Sequence, residues 1–102
     1  MDLTAFGALT VSFPGVRGST GDGPGRWSLH GRLIARQLGD HEVVIRTSFG
    51  HRSAMLRDDP GTFSVPRRFE KHMVVLADLE HGDPAAIENA VARAWQLQSE
   101  PG

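Results

Sequence analysis

The stretch RWSLHGRLIARQLGDHEVVIRT, residues 26–47, decides the fold because it contains three strand patterns separated by two turn signals. Trp27 and Leu29 alternate with polar neighbours, which is typical of a half-buried strand. Gly31 and Gly39 indicate tight turns between consecutive strands. The last part of the stretch is rich in β-branched residues, which favour strands. The sequence therefore predicts an antiparallel meander with strands over residues 26–30, 32–38 and 42–47.

Helices are predicted on both sides of this meander. Apolar residues recur at helical spacing over residues 2–11 and again over residues 82–98. Asp83 is the expected N-cap of the second helix, and Pro84 occupies the favoured first helical position. A shorter helix is expected between the meander and Pro60, which ends it.

The remaining segments complete an α+β pattern. We expect a Gly- and Pro-rich loop over residues 13–26 and two further strands over residues 62–65 and 72–79. The whole chain, residues 1–102, is predicted to be a single domain. Its fold is expected to be an antiparallel sheet of about five strands, with the N- and C-terminal helices packed largely on one side.

The two tryptophans are predicted to belong to the core. Trp27 lies on the apolar side of a strand and Trp95 on the apolar stripe of the last helix. An indole buries a large area, so packing of both rings against the sheet and near each other is the favoured interpretation. Stacking on nucleic-acid bases is the alternative.

Composition excludes several classes of protein. The 102 residues contain no cysteine, so a disulfide framework and cysteine-ligated zinc are excluded. No apolar run approaches the roughly 18 residues of a membrane span, and no signal peptide is recognisable at the N-terminus. We expect a cytoplasmic protein that does not contact membranes, with a monomer favoured.

The charges are distributed unevenly along the chain. Residues 26–71 hold nine basic and five acidic residues, a net charge of +4, whereas residues 72–102 hold one basic and five acidic residues, a net charge of −4. Ten of the eleven basic residues are arginine, whose planar fork binds two oxygens of a phosphate or carboxylate at once. This split can place a positive surface on a protein of net charge −1.

The arginines are the strongest candidates for a binding surface. Arg32 and Arg36 are predicted to share one face of the second strand. A basic turn follows Pro66, where side chains reach solvent. The candidate nucleic-acid-binding residues are Arg32, Arg36, Arg46, Arg67, Arg68 and Lys71. A solvated surface without a ligand is equally compatible with this pattern.

Other kinds of site find little support in the sequence. The five histidines form no metal-binding motif, so we expect neither a metal nor another cofactor. The glycines at 18, 21, 23 and 25 lack the Lys of a phosphate-binding loop and precede a strand, which favours a flexible connector. No nucleophile motif is present, and Asp58–Asp59 is interpreted as the end of a helix. We therefore expect no enzymatic activity.

The order and spacing of several short motifs along the chain are characteristic. These motifs are FPGV at residues 13–16, RWSLHGRLIARQL at 26–38, DPGTF at 59–63, HMVVLADL at 72–79 and AVARAWQL at 90–97. This order resembles the MmcQ/YjbR-like family across nearly the whole chain. The resemblance implies a double-wing, frataxin-like two-layer sandwich. It also implies a double-stranded DNA-binding protein with no cofactor and no known catalysis.

Two functions follow as expectations. The first is binding of double-stranded DNA through Arg–phosphate contacts that do not select a sequence. The alternative is a non-enzymatic module that binds a protein partner or an anionic small ligand. DNA binding predicts a steep dependence of affinity on salt, whereas a protein-binding module predicts an exposed apolar patch.

Overall fold

The structure is a computed structural model that describes residues 1–19 and 23–101. The three α-helices are α1 (Leu3–Val11), α2 (Phe49–Asp58) and α3 (Pro84–Ser99), and a 3₁₀ turn spans Arg67–Phe69. The six strands are β1 (Val16–Gly18), β2 (Arg26–Leu29), β3 (Arg32–Gln37), β4 (Glu42–Arg46), β5 (Phe63–Ser64) and β6 (Val74–Asp78). The α+β fold predicted from the sequence is confirmed.

All six strands form one antiparallel sheet in the order β1-β2-β3-β4-β6-β5, and its centre contains the predicted meander β2–β3–β4. The expected number of strands was about five. The additional strand is β1, which lies within the segment predicted as a loop. It forms because Val16 is buried opposite Leu29, while the backbone pairs with β2. The predicted connector also includes residues 20–22, which lie outside the described residues.

The turn between β2 and β3 follows from its two residues. His30 has a φ of 50° and Gly31 a φ of 80°, so both lie in the left-handed region that a two-residue hairpin of type I′ requires. Beyond this turn the pairing is irregular. Ser28 pairs with Leu33 but Trp27 pairs with Ala35, so Ile34 has no partner on β2. This β-bulge reverses the alternation of side chains along β3.

The helices cover one side of the sheet, which we call the inner face; the opposite side is the outer face. α1 packs on β1 and β2, α3 packs on β2, β3 and β4, and α2 packs beside β5 and β6. One core cluster joins them, with Phe6, Ile45 and Ile87 among its fully buried members. The caps predicted for α3 are present, since the Asp83 side chain accepts a hydrogen bond from the Ala85 N–H and Pro84 begins the helix.

The two tryptophans have different partners. Trp27 is buried and meets Phe6 edge to face, with ring centroids 5.1 Å apart. Trp95 is half-buried against the core, lies 6.1 Å from Phe13, and donates its indole N–H to the Pro14 carbonyl at 2.8 Å. Both indoles therefore contribute to packing, each with an aromatic neighbour from the N-terminal segment.

Candidate functional site

The outer face carries arginines on three neighbouring strands. Trp27 and Leu29 point into the core, so Arg26 and Ser28 point outward. Arg17 is the cross-strand partner of Ser28, and Arg36 is the cross-strand partner of Arg26. Since partners in an antiparallel pair project to the same side, all three arginines lie on the outer face.

Arg26 and Arg36 are the central pair of this surface. They lie directly opposite each other on β2 and β3, where side chains begin about 5 Å apart. Like charges in this position destabilise a sheet. Neither guanidinium contacts a carboxylate within 4.0 Å in the described part of the chain. The sheet therefore places two arginines in directly opposed positions, and none of the described carboxylates pairs with either of them.

Phe69 brings a third arginine to the pair. The Arg36 guanidinium carbon lies 5.6 Å from the centre of the Phe69 ring, and that of Arg68 lies 4.9 Å from it. Both distances are within the range of a cation–π interaction. The ring therefore positions Arg36 and Arg68 on the same part of the outer face. We call Arg17, Arg26, Arg36, Arg68 and Phe69 the outer-face cluster.

The turn that carries Phe69 is held in place by a residue of α2. The Arg52 guanidinium donates to the carbonyls of Glu70 at 2.9 Å and His72 at 2.8 Å, with longer contacts to those of Phe69 and Val74. Arg52 is half-buried, and its fork suits several acceptors at once. The guanidinium of Arg52 therefore anchors the turn that follows Pro66.

The six arginine and lysine positions selected from the sequence do not form one cluster. Arg36 and Arg68 meet at Phe69, and Arg67 and Lys71 are exposed in the same turn. Arg46 is half-buried and donates to the carbonyls of Thr47 and Met73 at 3.0 and 2.9 Å, so it ties β4 to the start of β6.

The prediction that Arg32 and Arg36 share one face of β3 is wrong. Arg32 pairs with the core residue Leu29 and donates to the Glu100 carbonyl at 2.9 Å, at the end of α3 on the inner face. The bulge at Ile34 is the physical reason, because one extra residue moves every following side chain to the other side.

Sequence reasoning missed Arg17 and Arg26 as candidates. For Arg26 a signal was present, since alternation in the strand that contains Trp27 places its neighbour on the polar side. For Arg17 no such signal was present, because a three-residue strand inside a Gly-rich segment is too short to show the alternation of polar and apolar residues.

The outer face also has an acidic end. Glu42 lies opposite Asp78 where β4 and β6 pair. Glu42 is two residues from Val44, which is the cross-strand partner of Arg36. Hydrogen bonds lower the pKa of Asp78, first of all from the His81 backbone N–H and also from the Glu80 N–H. The charges of this face are therefore segregated. Arginines lie on β1–β3 and at the Arg46 end of β4, whereas the carboxylates lie at the opposite end of the β4–β6 pair.

The described residues were also searched for a metal site and for a membrane-spanning helix. Residues 1–19 and 23–101 bring no three His, Asp or Glu side chains together as a metal site would. Within the same residues, none of the helices combines the length and hydrophobicity needed to cross a membrane.

Comparison with known proteins finds no matching protein-family model and no matching curated protein.

Proposed function

We propose that this protein binds double-stranded DNA through the outer-face cluster, by contacts between arginines and phosphates. The observation that carries the proposal is the direct opposition of Arg26, which is exposed, and Arg36, which is half-buried, on the outer face. In the described part of the chain neither guanidinium has a carboxylate partner, so no ion pair there offsets their mutual repulsion. A polyanion that lies across the strands removes the repulsion and gains two charge-assisted hydrogen-bonding partners.

The dimensions of the cluster suit a nucleic-acid backbone. Arg17 lies on β1 and Arg36 on β3, and their partners on β2, Ser28 and Arg26, are two residues apart. Because neighbouring strands are about 4.8 Å apart, the backbones of Arg17 and Arg36 are separated by about 12 Å. The outer-face cluster contains four arginines, since Arg68 joins the row at the Phe69 ring, and each guanidinium can bind phosphate oxygens. The cluster can therefore make three or four phosphate contacts.

The proposal is for binding without sequence selection and without catalysis. The outer-face cluster offers guanidinium groups for phosphates, and its aromatic ring is already occupied by Arg36 and Arg68. Phosphate contacts position a protein on DNA without reading bases. The resemblance to the MmcQ/YjbR-like family implies the same activity, and we propose membership of that family and a cytoplasmic location on this basis.

A protein-binding module is the less favoured function. Such a module would be expected to expose a continuous apolar patch. Among the described residues, the large hydrophobic side chains that are exposed are Val11 and Phe49, and they belong to different helices. The Phe49 ring is in addition covered by the Arg52 guanidinium at 4.8 Å.

Binding of a labelled short duplex to the parent and to the Arg26→Gln/Arg36→Gln double variant tests the proposal. The double variant is expected to bind more weakly, and equally so for unrelated DNA sequences. Arg32→Gln is the matched control, because it removes an arginine from the same strand but from the inner face. The absence of binding by the parent at low salt, or an equal loss in the control, contradicts the proposal.

A further inference from the structure

A second site, unrelated to the outer-face cluster, lies on the helical side of the molecule. A cavity of about 260 Å³ opens where α2 begins beside the last turns of α3. Its wall includes Thr47, Ser48, His51, Arg93, Gln96 and Glu100. This volume is slightly below the lower end of the range for drug-sized ligands, about 300 Å³, so the cavity suits a small molecule.

The beginning of α2, which borders this cavity at Ser48 and His51, has free hydrogen-bond donors. The Ser48 side chain caps the helix by accepting from the His51 N–H at 3.1 Å. The N–H groups of Phe49 and Gly50 point beyond the end of the helix and have no acceptor among the described residues. The first turn has no acidic residue to balance the positive end of the helix dipole. An anion is the natural partner of such an end.

Thr47 provides an independent indication of a ligand. Only 3% of this residue is exposed, and its hydroxyl oxygen is the one buried side-chain polar atom without a hydrogen-bond partner in the described structure. Leaving such a group unpaired destabilises a protein, so buried hydroxyls nearly always have a partner. Thr47 lines the cavity directly before the helix, where a bound oxygen atom would satisfy it.

Arg93 adds a positive charge from the opposite wall. It lies on α3, lines the cavity with His51, and makes no hydrogen bond or ion pair with other described residues. Burial and the neighbouring charge of Arg93 lower the pKa of His51. The carboxylate of Glu100 at the rim is the one opposing charge in the wall, and it does not approach Arg93 within 4.0 Å.

We propose that this cavity binds the phosphate group of a small phosphate monoester. Three kinds of donor border it, namely the start of α2, the hydroxyl of Thr47 and the guanidinium of Arg93. Three donor groups match the three terminal oxygens of a phosphate better than the two of a carboxylate. Beyond His51 the groove between α2 and α3 continues along walls that include the apolar Met55, Phe63 and Ala90, which give room for the organic part of the ligand. The carboxylates of Asp58 and Asp59 also line this part of the groove, so the phosphate group belongs at the other end, beside Arg93.

The test is a titration of ¹⁵N-labelled protein with inorganic phosphate and with glycerol 3-phosphate at constant ionic strength. Saturable shifts are expected at the amides of Ser48 and Gly50. Arg93→Gln is expected to weaken binding about tenfold, as loss of a charged hydrogen-bond partner does. Glu100→Gln is expected to tighten it, and Arg57→Gln, at the other end of α2, is expected to leave it unchanged.

Thr47→Val separates a ligand contact from a structural role. It removes the hydroxyl but keeps the shape, so the melting temperature of the free protein is expected to stay the same or rise, while phosphate binds several-fold more weakly. Unsaturable shifts, or equal affinities for the parent, Thr47→Val and Arg93→Gln, overturn the proposal. So does a duplex DNA that shifts these amides when the small phosphates do not. The Arg26→Gln/Arg36→Gln variant should bind phosphate as the parent does, so this site and the DNA interface can fail separately.

Discussion

Arg26 and Arg36 face each other across β2 and β3 on the outer face of the sheet. In the absence of a ligand their repulsion opposes strand pairing, and this leads to a prediction about stability. Arg26→Gln should raise the free energy of unfolding by about 0.5 kcal/mol at low salt. The gain should shrink at about 1 M salt, where charges are screened over about 3 Å.

Urea melts at both salt concentrations measure this effect, with Arg57→Gln as the control on an exposed helix position. A loss of stability for Arg26→Gln at low salt would mean that the arginine has a structural partner, and the pair would then no longer indicate a binding surface.

Arg52 should be the main support of the turn that presents Arg68 and Phe69. Arg52→Gln removes a guanidinium that contacts the carbonyls of Glu70 and His72, and it should lower the free energy of unfolding by about 2 kcal/mol. Hydrogen exchange at residues 69–74 should become faster, because the turn loses its anchor. Arg57→Gln, on the same helix, should change neither quantity, since among the described residues the Arg57 side chain hydrogen-bonds only to the neighbouring Asp58. Unchanged exchange in Arg52→Gln would show that other contacts hold the turn.

Gly82 should not tolerate a side chain. A Cβ atom there would lie 2.3 Å from the Asp78 carbonyl oxygen and 2.9 Å from a Thr62 methyl carbon, so the backbone between β6 and α3 would have to move. Gly82→Ala is expected to destabilise the protein by about 1–3 kcal/mol. At Gly61 a Cβ would meet nothing within 4 Å, so Gly61→Ala serves as the control in thermal melts. Equal melting temperatures for the two variants would contradict the packing described for this loop.

Asp78 should make stability sensitive to acid. Its folded-state pKa lies below the usual 3.8, first because the His81 backbone N–H donates to it. A carboxyl with a lowered pKa contributes stability that is complete above its unfolded pKa and is lost as pH falls through the folded value. Asp78→Asn should therefore flatten the fall in stability below about pH 4. Denaturation melts between neutral and acid pH measure this change in stability, with Asp58→Asn as the control. Parallel curves of stability against pH for the parent and Asp78→Asn would contradict the lowered pKa of Asp78.

Local signals explain what the sequence predicted correctly. The hairpin at Gly31, the helix after Asp83 and the alternation around Trp27 each depend on a few neighbouring residues. These signals were sufficient for the α+β class, for the meander and for the two terminal helices.

The errors concern features that depend on tertiary pairing. Ile34 and Ala35 are both fully buried, and two consecutive apolar residues do not reveal which of them is the bulge. That single unpaired residue places Arg32 and Arg36 on opposite faces of the sheet. The cavity at the start of α2 could not be predicted either, because Thr47 and Arg93 line the same cavity only after α3 has packed beside α2.

The salt dependence of DNA affinity tests the central claim most directly. For the parent, the logarithm of the association constant should fall with the logarithm of salt concentration with a slope of about −3, as three or four phosphate contacts require. Arg26→Gln/Arg36→Gln should flatten this slope by about two units, while Arg32→Gln should leave it unchanged. A parent that does not bind the duplex at low salt, or a double variant with the parent's slope, would contradict the assignment of DNA binding to the outer face.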